Sequence, residues 1–268
     1  MELSRKLEKS WRFVGAGVLI SVFGLGGLFL SLVWVPMICL FRKGPEAKRD
    51  TAQKCIHFCF RIFLGAVHKL GVIEIHIENA EELEKDAGCL VVANHPTLLD
   101  YVLLGSLMPR CECVVKDALW RNFFLRGIIQ SAGYISNRTL QDALEECEKR
   151  LRAGGRLIIF PEGTRPLPGE RKPIQRGAAN LAIRSGADLR LVHITCNPPF
   201  LTKQVKWWRM PSRRPVLRLR VGEKIRVARF LEKAPSPRHA VLALNESLAC
   251  ALFSGSATSD PLNGNFAS

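Results

Sequence analysis

The chain has 268 residues, enough for one substantial domain plus a membrane or tail segment and too few for two full domains. Its 39 Lys and Arg against 24 Asp and Glu leave a formal charge of +15, which points to anionic partners: nucleic acid, an anionic membrane, or phosphorylated substrates and acyl carriers. Nine cysteines are scattered without paired Cys-x2-Cys or His-x3-His spacing, so no metal site is indicated and reduced thiols are expected.

Residues 1–45 read as a membrane anchor. No ionisable side chain occurs between Arg12 and Arg42, and the apolar run Phe13–Phe41 exceeds the roughly 20 residues that cross a bilayer. A cleaved signal peptide fits poorly, because the run is too long for its apolar region and no small-x-small site precedes Arg42. Basic residues flank both ends, so the charge rule gives no orientation. The run spans once, lies monotopic or bends back as a re-entrant pair at Gly24, Gly26, Gly27 and Pro36, or packs as a buried core helix.

Residues 46–70 form an amphipathic helix, with Ile56, Phe60, Phe63, Leu64 and Val67 at helical spacing and Lys54, Arg61 and Lys69 between them. It either lies in the lipid interface or packs on the domain that follows. After Gly71 the period changes to two, and Val72–Ile77 reads as a strand. Further strands are expected at Cys89–Ala93, Cys113–Val115, Gly133–Ser136, Leu157–Phe160, Leu189–Thr195 and Val216–Val221, alternating with helices at Leu98–Met108, Leu119–Ile129, Leu140–Arg152 and Gln175–Ser185. Gly154-Gly155 is a helix stop, and Ser236-Pro237 opens a last helix running to about Phe253. Such alternation predicts an α/β domain over 71–254, a largely parallel, mixed sheet flanked by helices. Residues 255–268 are small and polar and read as a disordered tail.

Two blocks carry the chemistry. Asn94-His95-Pro96-Thr97-Leu98-Leu99-Asp100 follows a strand end, where α/β proteins place their ligand sites. A helix starting at Pro96 puts Asp100 about one turn in, able to hold one imidazole nitrogen of His95 while the other faces substrate. A strand-end His with an exposed helical Asp would show the same spacing. The second block, Phe160-Pro161-Glu162-Gly163-Thr164-Arg165, puts a carboxylate, a flexible backbone, a hydroxyl and a guanidinium within four residues, suited to gripping phosphate. A structural turn with a surface Arg is the plain alternative.

Together, in this order, the blocks resemble the first and third motifs of the glycerolipid acyltransferase family, the 1-acylglycerol-3-phosphate and lysophospholipid acyltransferases, in their bacterial type. The resemblance covers about residues 70 to 225. It implies that His95 is the base, that Asp100 orients it, and that Glu162, Gly163, Thr164 and Arg165 bind the acceptor's phosphate. Of the second family motif, Lys116, Leu119, Gly133, Ile135 and Arg138 remain, whereas Ala118 and Phe123 depart from it. Lys116 and Arg138 thereby join the expected phosphate ligands. The fourth motif's proline is missing from Leu189-Arg190-Leu191-Val192-His193, which leaves the donor open; His193 reads as a strand residue.

Between Lys203 and Arg220, basic residues interleave with Trp207 and Trp208. Single-stranded nucleic acid is one partner for such a stretch. Membrane-interface anchoring by the two tryptophans, or docking of a carrier protein, fits the rest of the chain better, a plain solvated loop is the ordinary alternative, and no nucleic-acid partner is expected. The resemblance then implies transfer of a fatty acyl group from acyl-CoA or acyl carrier protein, as co-substrate, to a lysophosphatidic acid or other lysophospholipid hydroxyl in phospholipid biosynthesis. No metal or bound cofactor is implied, and the expected location is a bacterial inner membrane with the catalytic domain cytoplasmic. The same chemistry on a glycolipid or aryl-polyene-type acceptor, or a non-catalytic membrane recruitment module, stays open. No Gly-x-Ser-x-Gly elbow marks an esterase.

Overall fold

Apolar residues alternating at period two assemble a seven-stranded sheet in the order β1-β7-β6-β2-β5-β3-β4. The strands are β1 Glu74–Glu78, β2 Leu90–Ala93, β3 Glu112–Val115, β4 Ile135–Ser136, β5 Leu157–Ile159, β6 Leu189–Asn197 and β7 Val216–Ile225. All pairings are parallel except β6 with β7, so the expected mixed sheet with a mainly parallel character is observed. This computed structural model describes residues 2–122, 125–167, 170 and 172–254. The tail expected at 255–268 lies outside them.

The alternation divides the core between two faces. Val91, Ala93, Ile158 and Val192 point to one side, where α1 (Glu2–Phe29), α3 (Pro45–Lys69) and α5 (Asp100–Leu107) cover them with Leu19, Leu64 and Leu103. Leu90, Val92, Leu157 and Leu191 point to the other, under α8 (Leu140–Arg152), α9 (Gly177–Ser185) and α11 (Pro237–Ser254). Thr139 caps α8 by accepting from the Asp142 N–H, and Gly154 beyond its end adopts φ +82°, a conformation that glycine takes without steric cost. The short helices α4 (Glu81–Lys85) and α10 (Ala228–Lys233) were not expected from periodicity.

Two expectations need correction. The single helix over Leu119–Ile129 is instead α6 (Asp117–Trp120) and α7 (Arg126–Ser131), because Asn122 turns the chain: its side chain accepts from Leu125 N–H and its carbonyl from Arg126 N–H. The N-terminal run does not fold back at its glycines. It continues from α1 through a π-helical segment, Leu30–Trp34, into α2 (Val35–Leu40), and the chain reverses only at the turn before Pro45. Pro36 lacks the N–H that would close the preceding turn, and a wider π turn just upstream accommodates that loss.

A buried ion pair joins the sheet to α4's far side. Arg190, inside β6, donates to both carboxylate oxygens of Asp86 at 2.5 and 3.1 Å and to the Gly222 carbonyl at 3.0 Å, and Lys224 reaches Asp86 at 3.1 Å. Burial pushes the Asp86 carboxyl up, yet Arg190 and Lys224 outweigh it and hold the group below its usual range. Arg190→Ala is expected to cost about 3 kcal/mol at neutral pH by leaving the Asp86 charge buried and underpaired. The depressed native pKa means that this stabilisation is present above the ordinary carboxylate range and is lost as pH falls through the native value. Urea melts of both proteins at pH 7 and pH 3 should therefore show a difference that shrinks in acid.

Candidate active site

His95, Lys116, Arg138 and the Glu162–Arg165 turn follow β2, β3, β4 and β5, so all four lie at the carboxyl ends of mutually parallel strands. Asn94 sets the exit of β2. Its side chain donates to the Ile194 carbonyl and accepts from the Ile194 N–H, both at 2.7 Å, extending the ladder to β6 by one amide. His95 then leaves the sheet with a fixed direction, and its ring stacks on Phe160 with centroids 4.2 Å apart.

Asp100 is fully buried and accepts His95 Nδ1 at 2.8 Å. The helix starts at Asp100, not at Pro96 as expected, because Thr97 diverts the chain. Thr97 gives Asp100 both its backbone N–H, at 2.8 Å, and its hydroxyl, at 2.5 Å. Asp100 thus caps a loop from the first position of α5, where the helix dipole also favours an anion. Burial pushes its carboxyl up, opposed by the bonds from His95 and Thr97. With Nδ1 committed to the carboxylate, Nε2 is the nitrogen left to exchange protons, and His95 retains 22% side-chain exposure for a substrate to reach it.

Gly163 turns the second block with φ +68°; an added Cβ would lie 2.8 Å from Gln175 Nε2. Glu162 is buried rather than displayed. Burial pushes its carboxyl up, while it accepts from the His95 backbone N–H and feels His95 and Lys172. Its Oε2 has no partner among the described residues. Thr164 is exposed, and Arg165 is half-buried, with Nη1 donating to the Leu201 carbonyl at 3.0 Å. Leu201 sits at φ +54°, a costly conformation for a branched side chain, and its carbonyl also accepts from Leu98 N–H, tying this loop to both blocks.

Of the remaining expected residues, Lys116 and Arg138 are exposed. Arg138 lines a hollow that shares no residue with the cavity holding Arg165. Trp207 is half-buried and stacks on Phe13 of α1 with centroids 5.7 Å apart, whereas Trp208 is exposed beneath Lys206. His193 lies within β6, and burial pushes its pKa down. Thr97, Phe160 and Asn94 were not assigned roles from the sequence, although all three stand inside the two blocks. Among the described residues, no group of three His, Cys, Asp or Glu could hold a metal ion.

An apolar cavity of about 330 Å³ is lined by Leu98 and Leu99 of the loop after His95, although His95 itself does not line it. Its walls come from α1 (Leu19, Phe23), the loop after His95 (Leu98, Leu99) and the 200–208 loop (Phe200, Trp207), and its charged residues are Arg165, Lys203 and Lys206.

Comparison with known proteins agrees with this arrangement. Residues 74–197 match the sequence profile of the acyltransferase family. The chain is 25% identical over 197 residues to a mouse 1-acyl-sn-glycerol-3-phosphate acyltransferase alpha, covering 69% of this chain and 65% of that protein. It is 29% identical over 177 residues to the 1-acyl-sn-glycerol-3-phosphate acyltransferase of Saccharomyces cerevisiae, covering 62% and 54%. The matched region thus spans between about half and two thirds of these relatives. The crystal structure of the 1-acyl-sn-glycerophosphate acyltransferase PlsC from Thermotoga maritima superposes with a TM-score of 0.68 at 19% identity, over 96% of this chain and 99% of that one, which shows a shared fold. Residues 74–197 make up a domain of the acyltransferase family.

The buried Glu162 gives a test of the site's electrostatics. A carboxyl whose native pKa is raised favours folding below the ordinary carboxylate range and loses that advantage as pH rises. Glu162→Gln keeps an acceptor for the His95 N–H and removes the charge. It is expected to raise stability at pH 8 while leaving it nearly unchanged at pH 4, as read from denaturant midpoints.

Proposed function

We propose that this acyltransferase-family chain moves a fatty acyl group from a thioester to the free hydroxyl of lysophosphatidic acid or a related lysophospholipid. The observation that carries the reading is the 2.8 Å bond from His95 Nδ1 to a buried Asp100, at the mouth of a parallel sheet and beside an apolar cavity. Asp100 fixes the tautomer, so Nε2 takes the proton of the acceptor hydroxyl. The alkoxide attacks the thioester carbonyl, the tetrahedral adduct collapses, and the thiolate leaves with the proton returned by the imidazolium. An ester and a free thiol result. The acyl transfer is direct, without an acyl-enzyme on a Ser or Cys. The curated relatives named above act, by their names, on 1-acyl-sn-glycerol-3-phosphate, which supports this acceptor.

Arg165, with nitrogens beyond Nη1 available, and the exposed Gly163-Thr164 backbone suit the acceptor's phosphate. The apolar cavity suits an acyl chain. No bound cofactor takes part; coenzyme A or acyl carrier protein brings the acyl group as co-substrate.

The N-terminal helix supports a membrane location. Lys6–Leu40 is long and apolar enough to cross one, with mean hydropathy 2.3. Yet it touches the domain at several points: Trp11 donates to the Leu70 carbonyl, Arg12 to Ser212, Phe23 packs on Phe63, Ser31 accepts from Ile128, and Val35 is 1% exposed. These contacts support a helix that lies along the domain rather than one that crosses a bilayer. Leu7, Trp11, Val14, Val18, Val22, Leu25, Phe29 and Leu32 are exposed at helical spacing, Phe13, Ile20 and Phe23 are exposed beside them, and Phe58 and Ile62 of α3 are exposed as well. That apolar face suits insertion into one leaflet. Nine free cysteines suit the cytoplasmic side.

Detergent-purified protein offered long-chain acyl thioesters and lysophosphatidic acid should form phosphatidic acid. His95→Ala is expected to lower kcat about 10³-fold, the scale of a lost general base. Unimpaired turnover in that variant would refute the reading. For the helix, single cysteines at Leu7 and Lys43 in a cysteine-free background, reconstituted in sealed vesicles, should both react with an impermeant reagent from the same side. Labelling from opposite sides would mean that the helix spans.

A further inference from the structure

Resting on the acyl-transfer reading above, we propose that Phe160 is a positioning residue: its ring fixes the plane of the His95 imidazole and favours the imidazolium formed during transfer. The parallel register sets Val92 against Ile159, so the residue after β5 comes alongside the exit of β2 that carries His95. There the two rings overlap, with centroids 4.2 Å apart and planes 21° from parallel. The phenyl ring is itself packed against the core beneath α1, α3 and α5. Two further groups hold His95: Asp100 accepts Nδ1 at 2.8 Å, and Glu162 accepts the backbone N–H.

Neither of those bonds fixes the plane of the ring. The Glu162 bond holds the main chain, and a ring held through Nδ1 alone still rocks about that bond, swinging Nε2 away from the acceptor hydroxyl. A stacked neighbour stops the rocking, and orientation of this kind contributes directly to rate. Charge works in the same direction. The face of a phenyl ring carries negative potential, and a cation within roughly 6 Å of its centroid is attracted to it. Neutral imidazole gains little from that field, whereas the imidazolium gains fully. The contact therefore strengthens when Nε2 takes the hydroxyl proton and relaxes when the proton passes to the leaving thiolate. Only an interaction stronger in the transition state than in the ground state raises turnover. An aliphatic side chain in the same place would fill the space without this effect.

Fluorinated phenylalanines placed at position 160 separate charge from shape, because each ring fluorine weakens the negative face and barely alters the outline. Assayed as full-length protein in detergent, the mono-, di- and trifluoro series should lower kcat stepwise, reaching about tenfold at the end, with KM for both substrates unchanged. Phe160→Tyr keeps the aromatic face and should keep kcat within about twofold, whereas Phe160→Leu should lose about tenfold. A kcat that stays flat along the series would overturn the proposal. So would a loss confined to KM, which would make the ring a wall for substrate. A second readout needs no substrate: in histidine-labelled protein at one fixed pH, the protonated fraction of His95 should fall along the same series. If it falls while the intact chain transfers no acyl group, the hold of Phe160 on the imidazolium stands and the reading of the reaction falls. If it stays constant in an active enzyme, the reading of the reaction stands and the proposal falls.

Discussion

A fully buried carboxylate at the start of a helix is the constraint on which the rest of the site depends. Asp100 cannot stay charged inside the core without donors, and the chain supplies three: the Thr97 N–H, the Thr97 hydroxyl and His95 Nδ1. The first two come from the turn between β2 and α5 and cost no substrate. They let the carboxylate hold the imidazole in one orientation while burial strengthens the bond between them. Phe160 and the Glu162 carboxyl close around the same histidine from β5 and its turn. The two sequence blocks, far apart in the chain, are therefore one structural unit whose parts fix each other.

The same economy joins the site to the apolar N-terminal helix. α1 supplies Leu19 to the core and Phe23 to the cavity lined by the loop after His95, and it carries exposed apolar side chains besides. A lipid acceptor diffusing in a leaflet would meet the enzyme on the side where the cavity is built. The Leu201 carbonyl, held in place by Arg165 and Leu98, links the Glu162–Arg165 turn to the histidine loop across that cavity.

How much of this was legible in the sequence depended on the range of the interaction. Short apolar runs marked all seven strands, with period-two alternation in the first, since such runs report on local burial alone. The His95–Asp100 spacing was legible as chemistry, but the helix start was misplaced because the Thr97 side chain competes with helix formation at Pro96, a local hydrogen bond that propensity does not register. The break at Asn122 was hidden for the same reason. The apolar run 13–41 declared its hydrophobicity and concealed its geometry: Ala16 and Leu19 face the core while Val14 and Val18 face outward, and nothing in their composition separates them. Arg190 lies in the segment whose family proline is missing, and the sequence assigned it no role. Its partner Asp86 lies about a hundred positions away, and only the folded sheet brings them together.

The most direct test of the central interaction is the protonation of His95 itself, read from ¹⁵N shifts of the histidine-labelled protein near neutral pH. A neutral ring with its proton on Nδ1 and a bare Nε2, converting to the other pattern when Asp100 is replaced by Ala, is the expected result. A proton on Nε2 in the intact protein would contradict it, because the nitrogen assigned to accept the hydroxyl proton would already be occupied.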